Sequence, residues 1–169
     1  RITKAALDVR SRGGGESGGA IYLEAGSTFG PIFPLPEGIV PGGELHVDAS
    51  ILDLRGSGND EGSAGSGGFV DLFAHGLVDI GHEVTIRADG ASSPENLDGW
   101  GGEIIVISES IPADEETGRP AVDPDIRLDG RITVRGSGPE VLAGVVYVIA
   151  VRDLVLAARL REDPVPGRH

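Results

Sequence analysis

The sequence predicts an all-β chain wound as a right-handed parallel β-helix, a solenoid of about four coils with three short strands per coil. Three observations carry that expectation. A seven-residue pattern recurs four times, a second strand pattern follows each copy across a glycine-rich gap, and the apolar residues are almost all aliphatic: 39% of the chain is hydrophobic but only 4% aromatic. A core without rings suits thin layers of Val, Ile, Leu and Ala, as stacked short strands provide.

The first pattern is an apolar residue, Asp or Thr, an apolar residue, Arg, a small residue, any residue, Gly. Its copies are Leu7-Asp8-Val9-Arg10-Ser11-Arg12-Gly13, Leu52-Asp53-Leu54-Arg55-Gly56-Ser57-Gly58, Val84-Thr85-Ile86-Arg87-Ala88-Asp89-Gly90 and Ile132-Thr133-Val134-Arg135-Gly136-Ser137-Gly138. Alternation of period two puts one set of side chains inward and the other outward. Arg10, Arg55, Arg87 and Arg135 are therefore expected in one outward column, with Asp8, Asp53, Thr85 and Thr133 beside them.

The second pattern is two small residues followed by an alternating strand that ends in Ala or Ser: GGAIYLEA (18–25), GGFVDLFA (67–74), GGEIIVIS (101–108) and AGVVYVIA (143–150). A third apolar pair precedes the arginine strand, as Leu45/Val47, Val78/Ile80 and Ile126/Leu128, and Leu154-Val155-Leu156 continues it. A strand of about five residues cannot bury its inward face alone, but coils stacked ~4.8 Å apart cover one another. The glycine corner between the first two strand types is expected to use positive φ, which Gly adopts without a Cβ penalty. A helix over 151–161 is the alternative for the last segment, with Asp153, Arg159 and Arg161 on one side.

Two excursions, 26–43 and 109–125, leave from the corner after the GG strand and are expected to project from one edge. Insertions at one corner of a solenoid build a contact surface on one face. Phe29, Ile32, Phe33, Leu35 and Ile111 are its candidate partner-binding residues. Length and the absence of a composition break predict one domain over 1–169, and the absence of Met even at position 1 predicts a processed chain or a portion of a longer one.

Formal charge is −13, which repels nucleic-acid phosphates and anionic membrane surfaces. No stretch reaches the ~18 apolar residues of a spanning helix. Absence of Cys excludes disulfides, zinc–thiolate sites and thiol catalysis.

Strands of this kind, entered through GG and left through a small residue, resemble the glycine-rich β-helix repeats of large secreted bacterial surface proteins, filamentous-haemagglutinin-like or polymorphic-outer-membrane-like. The resemblance covers most of residues 2–160 and implies an extracellular or cell-surface location and a structural or adhesive role. Expected partners are other protein chains or further coils of the same protein, in an oligomer or assembly, with polysaccharide as the alternative ligand.

Candidate chemistry is sparse. The arginine column reads either as a ladder for carboxylate or sulfate groups of a polysaccharide or, as expected here, as a solvated face on which Arg and Asp pair. Acidic loop clusters (Asn59, Asp60 and Glu61; Glu95, Asn96 and Asp98; Asp114, Glu115 and Glu116; Asp123 and Asp125) make calcium the one metal to consider, but none has EF-hand or nonapeptide spacing. No other cofactor is expected. A polysaccharide-cleaving site needs two carboxylates with one pKa raised, and outward acids such as Asp71 and Asp79 lack burial for that. Gly15-Glu16-Ser17-Gly18-Gly19 matches GxSxG, but a strand follows in place of the required helix. His46, His75, His82 and His169 show no metal-ligand spacing. Trp100, Tyr22 and Tyr147 could stack on sugars, but with Asp71 and Val106 between the tyrosines no continuous platform is expected. The expected class is a non-enzymatic module.

Overall fold

The computed structural model describes residues 1–11, 15–25, 43–58, 64–92, 99–109, 125–138, 141–150 and 153–156. They form a parallel β-helix. In chain order the strands are β1 (Ile2–Thr3), β2 (Ala6–Asp8), β3 (Ala20–Ala25), β4 (Leu45–Asp48), β5 (Ile51–Asp53), β6 (Phe69–Ala74), β7 (Val78–Ile80), β8 (Thr85–Arg87), β9 (Glu103–Ser108), β10 (Asp125–Leu128), β11 (Arg131–Thr133), β12 (Val145–Ala150) and β13 (Asp153–Leu156). Every third strand joins the same sheet: β1-β4-β7-β10-β13 in sheet A, β2-β5-β8-β11 in sheet B and β3-β6-β9-β12 in sheet C. All pairings between them are parallel. β13 extends sheet A as a strand, so the helix considered for 151–161 does not begin there.

The interior is a set of aliphatic columns running up the stack. On sheet C, Ile21, Val70, Ile104 and Val146 are level, as are Leu23, Leu72, Val106 and Val148. Sheet A contributes Leu45, Val78 and Ile126, and sheet B Leu52 and Ile86. The middle coils seal these columns: Leu52, Val70, Leu72, Ile86, Ile104 and Ile126 are fully buried. At the last coil the seal fails, because Val146 is 38% exposed, Leu154 42% and Leu156 59%.

The glycine corner between sheets B and C works differently from the expectation. Among the described glycines only Gly15 has positive φ. What requires glycine is close approach of backbones. In each coil the second of the two small residues before the sheet C strand donates its N–H across the neck of the corner: Gly19 to Val9 (2.8 Å), Gly68 to Leu54 (2.8 Å), Gly102 to Ala88 (2.7 Å) and Gly144 to Val134 (2.6 Å). A methyl on Gly102 would overlap the Gly68 carbonyl of the preceding coil, and one on Gly144 the Gly102 carbonyl. The left-handed positions belong instead to Lys4 (φ 53°) and Ala49 (φ 44°), equivalent residues of the sheet A to sheet B corner.

That corner also corrects the arginine column. Arg87 is level with Asp53 and Thr133, not with Arg55. Thr85 is level with Ile51 and Arg131, so Thr85 and Thr133 share no column. The cause is the corner between β7 and β8, residues 81–84, which is two residues longer than the β10–β11 corner at Asp129 and Gly130. It closes as a turn from Val84 N–H to Gly81 C=O (3.0 Å), and Val84 fills it, 1% exposed. A two-residue insertion preserves period-two alternation, so the apolar pattern matches equally well in either register.

Candidate functional site

Sheet B presents a polar ladder. Past the strand ends the backbone pairing continues, with Leu54 N–H donating to Arg87 C=O (2.8 Å) and Ala88 N–H to Thr133 C=O (2.9 Å). Asp89 therefore stands where Arg87 was expected, in a column with Arg10, Arg55 and Arg135. Arg10 grips Asp8 through Nε (2.8 Å) and a terminal nitrogen (2.7 Å), and Arg55 grips Asp53 in the same way (2.9 Å each). Asp89 accepts from the Thr133 hydroxyl (2.9 Å) and the Arg135 N–H (2.8 Å). Hydrogen bonding to Asp8, with the charges of Asp8 and Asp53, raises the Arg10 pKa; the Asp53 hydrogen bond raises that of Arg55. Bidentate edges already occupied by carboxylates are not open to a sulfate or uronate fork. A groove of about 870 Å³ beside them is lined by Ser57, Ser92 and Ser137 among others.

Sheet A carries a second, shorter ladder that sequence spacing did not single out. His46, Asp79 and Arg127 are level on successive coils. His46 lies between the Glu44 carboxylate (2.9 Å from Nε2) and that of Asp79 (3.4 Å from Nδ1), with Arg127 4.0 Å from Asp79. Residues of unrelated coils meet here only because the stack brings them together.

Sheet C is unlike the other two. Its outward columns are Ala20–Phe69–Glu103–Val145, Tyr22–Asp71–Ile105–Tyr147 and Glu24–Phe73–Ile107–Ile149. The residue level with the tyrosines is Ile105; Val106, one step on, is fully buried. Much of this face is exposed: Tyr22 69%, Ile149 52%, Tyr147 48% and Val145 46%. Asp71 lies in the middle column, with one carboxylate oxygen buried and without a hydrogen-bond partner. Burial raises its pKa, and the charge of Glu24 adds to the shift. The expectation that Asp71 lacks burial is thus reversed. Asp79 lies on sheet A, so the two acids are not a pair.

Along one margin of this face runs a trough of about 670 Å³. Its floor is the glycine rows, including Gly67, Gly68, Gly101 and Gly102, and its walls include Trp100, Leu142, Phe69 and Tyr147. Trp100 and Leu142 are 61% and 70% exposed. Trp100 and Tyr147 thus share one concave surface, although no aromatic column forms.

Phe29, Ile32, Phe33, Leu35 and Ile111 lie outside the described residues, as do the acidic loop clusters except the backbone of Asp125. Among the described residues no group of three or more His, Asp and Glu is placed to hold a metal ion, and no helix is long and apolar enough to cross a membrane. The roots of the two excursions, after Ala25 and Ser108, are level with Ala74, whose coil turns back within 75–77. His75 occupies that short turn, 7% exposed, with its Nε2 unpartnered and its ring edge-on to Phe73 at 4.9 Å. No family model, curated protein or solved structure matches this chain.

Proposed function

We propose that this chain is a non-enzymatic structural or adhesive β-helix module of an extracellular or cell-surface assembly, as in the surface-protein repeats that its strand patterns resemble. Its coils stack end to end with further coils, and the excursions at 26–43 and 109–125 contact a partner from one edge. The observation that carries this reading is the last coil. Val146, Leu154 and Leu156 continue columns that are sealed one coil earlier, where Ile104 and Ile126 are fully buried and Leu128 is 4% exposed. Apolar columns and unpaired strand edges of this kind are covered when another coil docks. Sedimentation velocity over a hundred-fold concentration range tests the end-to-end contact. The expected result is association that Leu154→Glu with Leu156→Glu abolishes; a monomer at every concentration contradicts it.

A second reading, carbohydrate binding, is favoured by the trough, where Trp100 and Tyr147 face a floor without side chains. Aromatic rings beside an open concave surface suit stacking on sugar rings. Titration of Trp100 fluorescence with neutral oligosaccharides tests it, and a reducing-sugar assay tests cleavage. Unchanged emission removes this alternative.

A further inference from the structure

We propose that the outer face of sheet C docks one amphipathic α-helix of a partner polypeptide, with a Lys or Arg from the helix's apolar stripe meeting Asp71. This surface is separate from the end-to-end contact, and the inference does not depend on it.

The argument begins with the sheet. Parallel sheets are ordinarily covered on both faces, and strands buried twice read as continuous apolar runs. β12 (VVYVIA) and most of β9 (EIIVIS) read so, and among the described residues no layer covers their outward residues Ile105, Ile107, Val145, Tyr147 and Ile149. By contrast, the sheet B face carries Asp8, Asp53, Arg87 and Thr133, and the sheet A face His46, Asp79 and Arg127. Large exposed apolar patches mark interaction sites.

Charge then selects the partner. The only charged residues in the outward columns of sheet C are Glu24, Asp71 and Glu103, all acidic. Asp71 sits among Tyr22, Phe69, Phe73 and Ile105, and one of its carboxylate oxygens is cut off from water without a donor. An unpaired buried acceptor makes the ionised carboxylate costly, and a cation brought against its outer side by a partner offsets that charge.

Size selects the element. Four strands of six residues give a face roughly 20 Å by 20 Å, on the order of 400 Å². That is about half the area each partner buries in a standard protein interface. One helix of ~13 residues, ~20 Å long and ~10 Å wide, runs the length of the face and covers the Tyr22–Asp71–Ile105–Tyr147 column with part of the column on either side. Helix on sheet is also the usual way such a layer is closed.

The test uses the full chain and a synthetic 14-residue Leu/Lys amphipathic helix with one Lys inside its leucine stripe, followed by backbone amide NMR. Saturable shifts at Tyr22, Asp71, Ile105 and Tyr147, weakened about ten-fold by Asp71→Asn, are expected. Asp71→Lys should transfer the preference to the peptide with Glu in place of that Lys. The proposal is overturned if millimolar peptide leaves these residues unshifted, or if Asp71→Asn and Asp71→Lys bind like the native chain. It is equally overturned if the same amides shift on concentration alone, which assigns the face to a second copy, or with cellohexaose and not with the peptide, which assigns it to a glycan. Native-like spectra of both variants establish that the fold is retained.

Discussion

Asp53 is held by Arg55, two residues along its own chain at 2.9 Å, and is level with Arg87 of the next coil in the sheet B ladder. The Asp53 side chain is 9% exposed and that of Arg55 38%, so the pair is asymmetric. Removing the arginine strands a carboxylate that water reaches poorly, with Arg10 at 3.7 Å. Removing the aspartate leaves a guanidinium that water can solvate.

Arg55→Met is therefore expected to cost about 1–3 kcal/mol in urea unfolding. Asp53→Asn should cost less, about 1 kcal/mol. Equal losses would show that the carboxylate is better solvated than its burial indicates.

Gly102→Ala should prevent folding or cost more than about 3 kcal/mol, because its Cβ meets the Gly68 backbone of the preceding coil and neither coil can move away. Gly81→Ala is the matched control. The nearest atom to its Cβ is the Asp48 carboxylate oxygen at 2.9 Å, the free end of a side chain. Its cost should stay near 1 kcal/mol, and circular dichroism melts of the two variants decide the matter.

Ala49→Gly is expected to raise the melting temperature slightly. At φ 44° Ala49 carries the Cβ penalty of the left-handed region, about 1–2 kcal/mol. The added chain entropy of Gly offsets about 0.5–1 kcal/mol of that gain. A lower melting temperature would mean the alanine is not strained.

Asp71→Asn should stabilise the chain at neutral pH, with the gain shrinking on acidification. Burial and Glu24 raise the folded-state pKa, so ionisation is harder in the folded chain than in the unfolded one. The penalty is absent below the unfolded value of about 3.9, grows as pH rises from there, and is complete above the raised folded value. Melting curves of both proteins between acid and neutral pH check the sign. A gain that is constant with pH would assign the effect to packing.

Much of the scaffold was legible in the sequence, and the reason is local. The GG strands of sheet C align residue for residue, because a glycine pair and an alternating strand fix both where a strand begins and which face it buries. The sheet A pairs were equally plain. The register of β8 was not, since Val84 is apolar whether it lies in the strand or in the corner before it. The role of glycine was legible by position but not by cause, because crowding between coils belongs to the assembled stack. Asp71 looked like an ordinary outward acid for the same reason. Its isolation comes from Tyr22 and Ile105 of neighbouring coils, more than thirty residues away in sequence.

The stacking register itself admits a direct measurement, since the chain has no cysteine of its own. In the Asp53→Cys with Arg87→Cys variant the two Cα atoms should be ~4.8 Å apart, within disulfide reach. In the Arg55→Cys with Arg87→Cys variant the extra two residues put them at ~8 Å, beyond it. Mild oxidation followed by mass spectrometry should find an intramolecular bond in the first variant and free thiols in the second. The reverse outcome would restore the uniform arginine column, and cross-linking in neither would contradict the parallel stack.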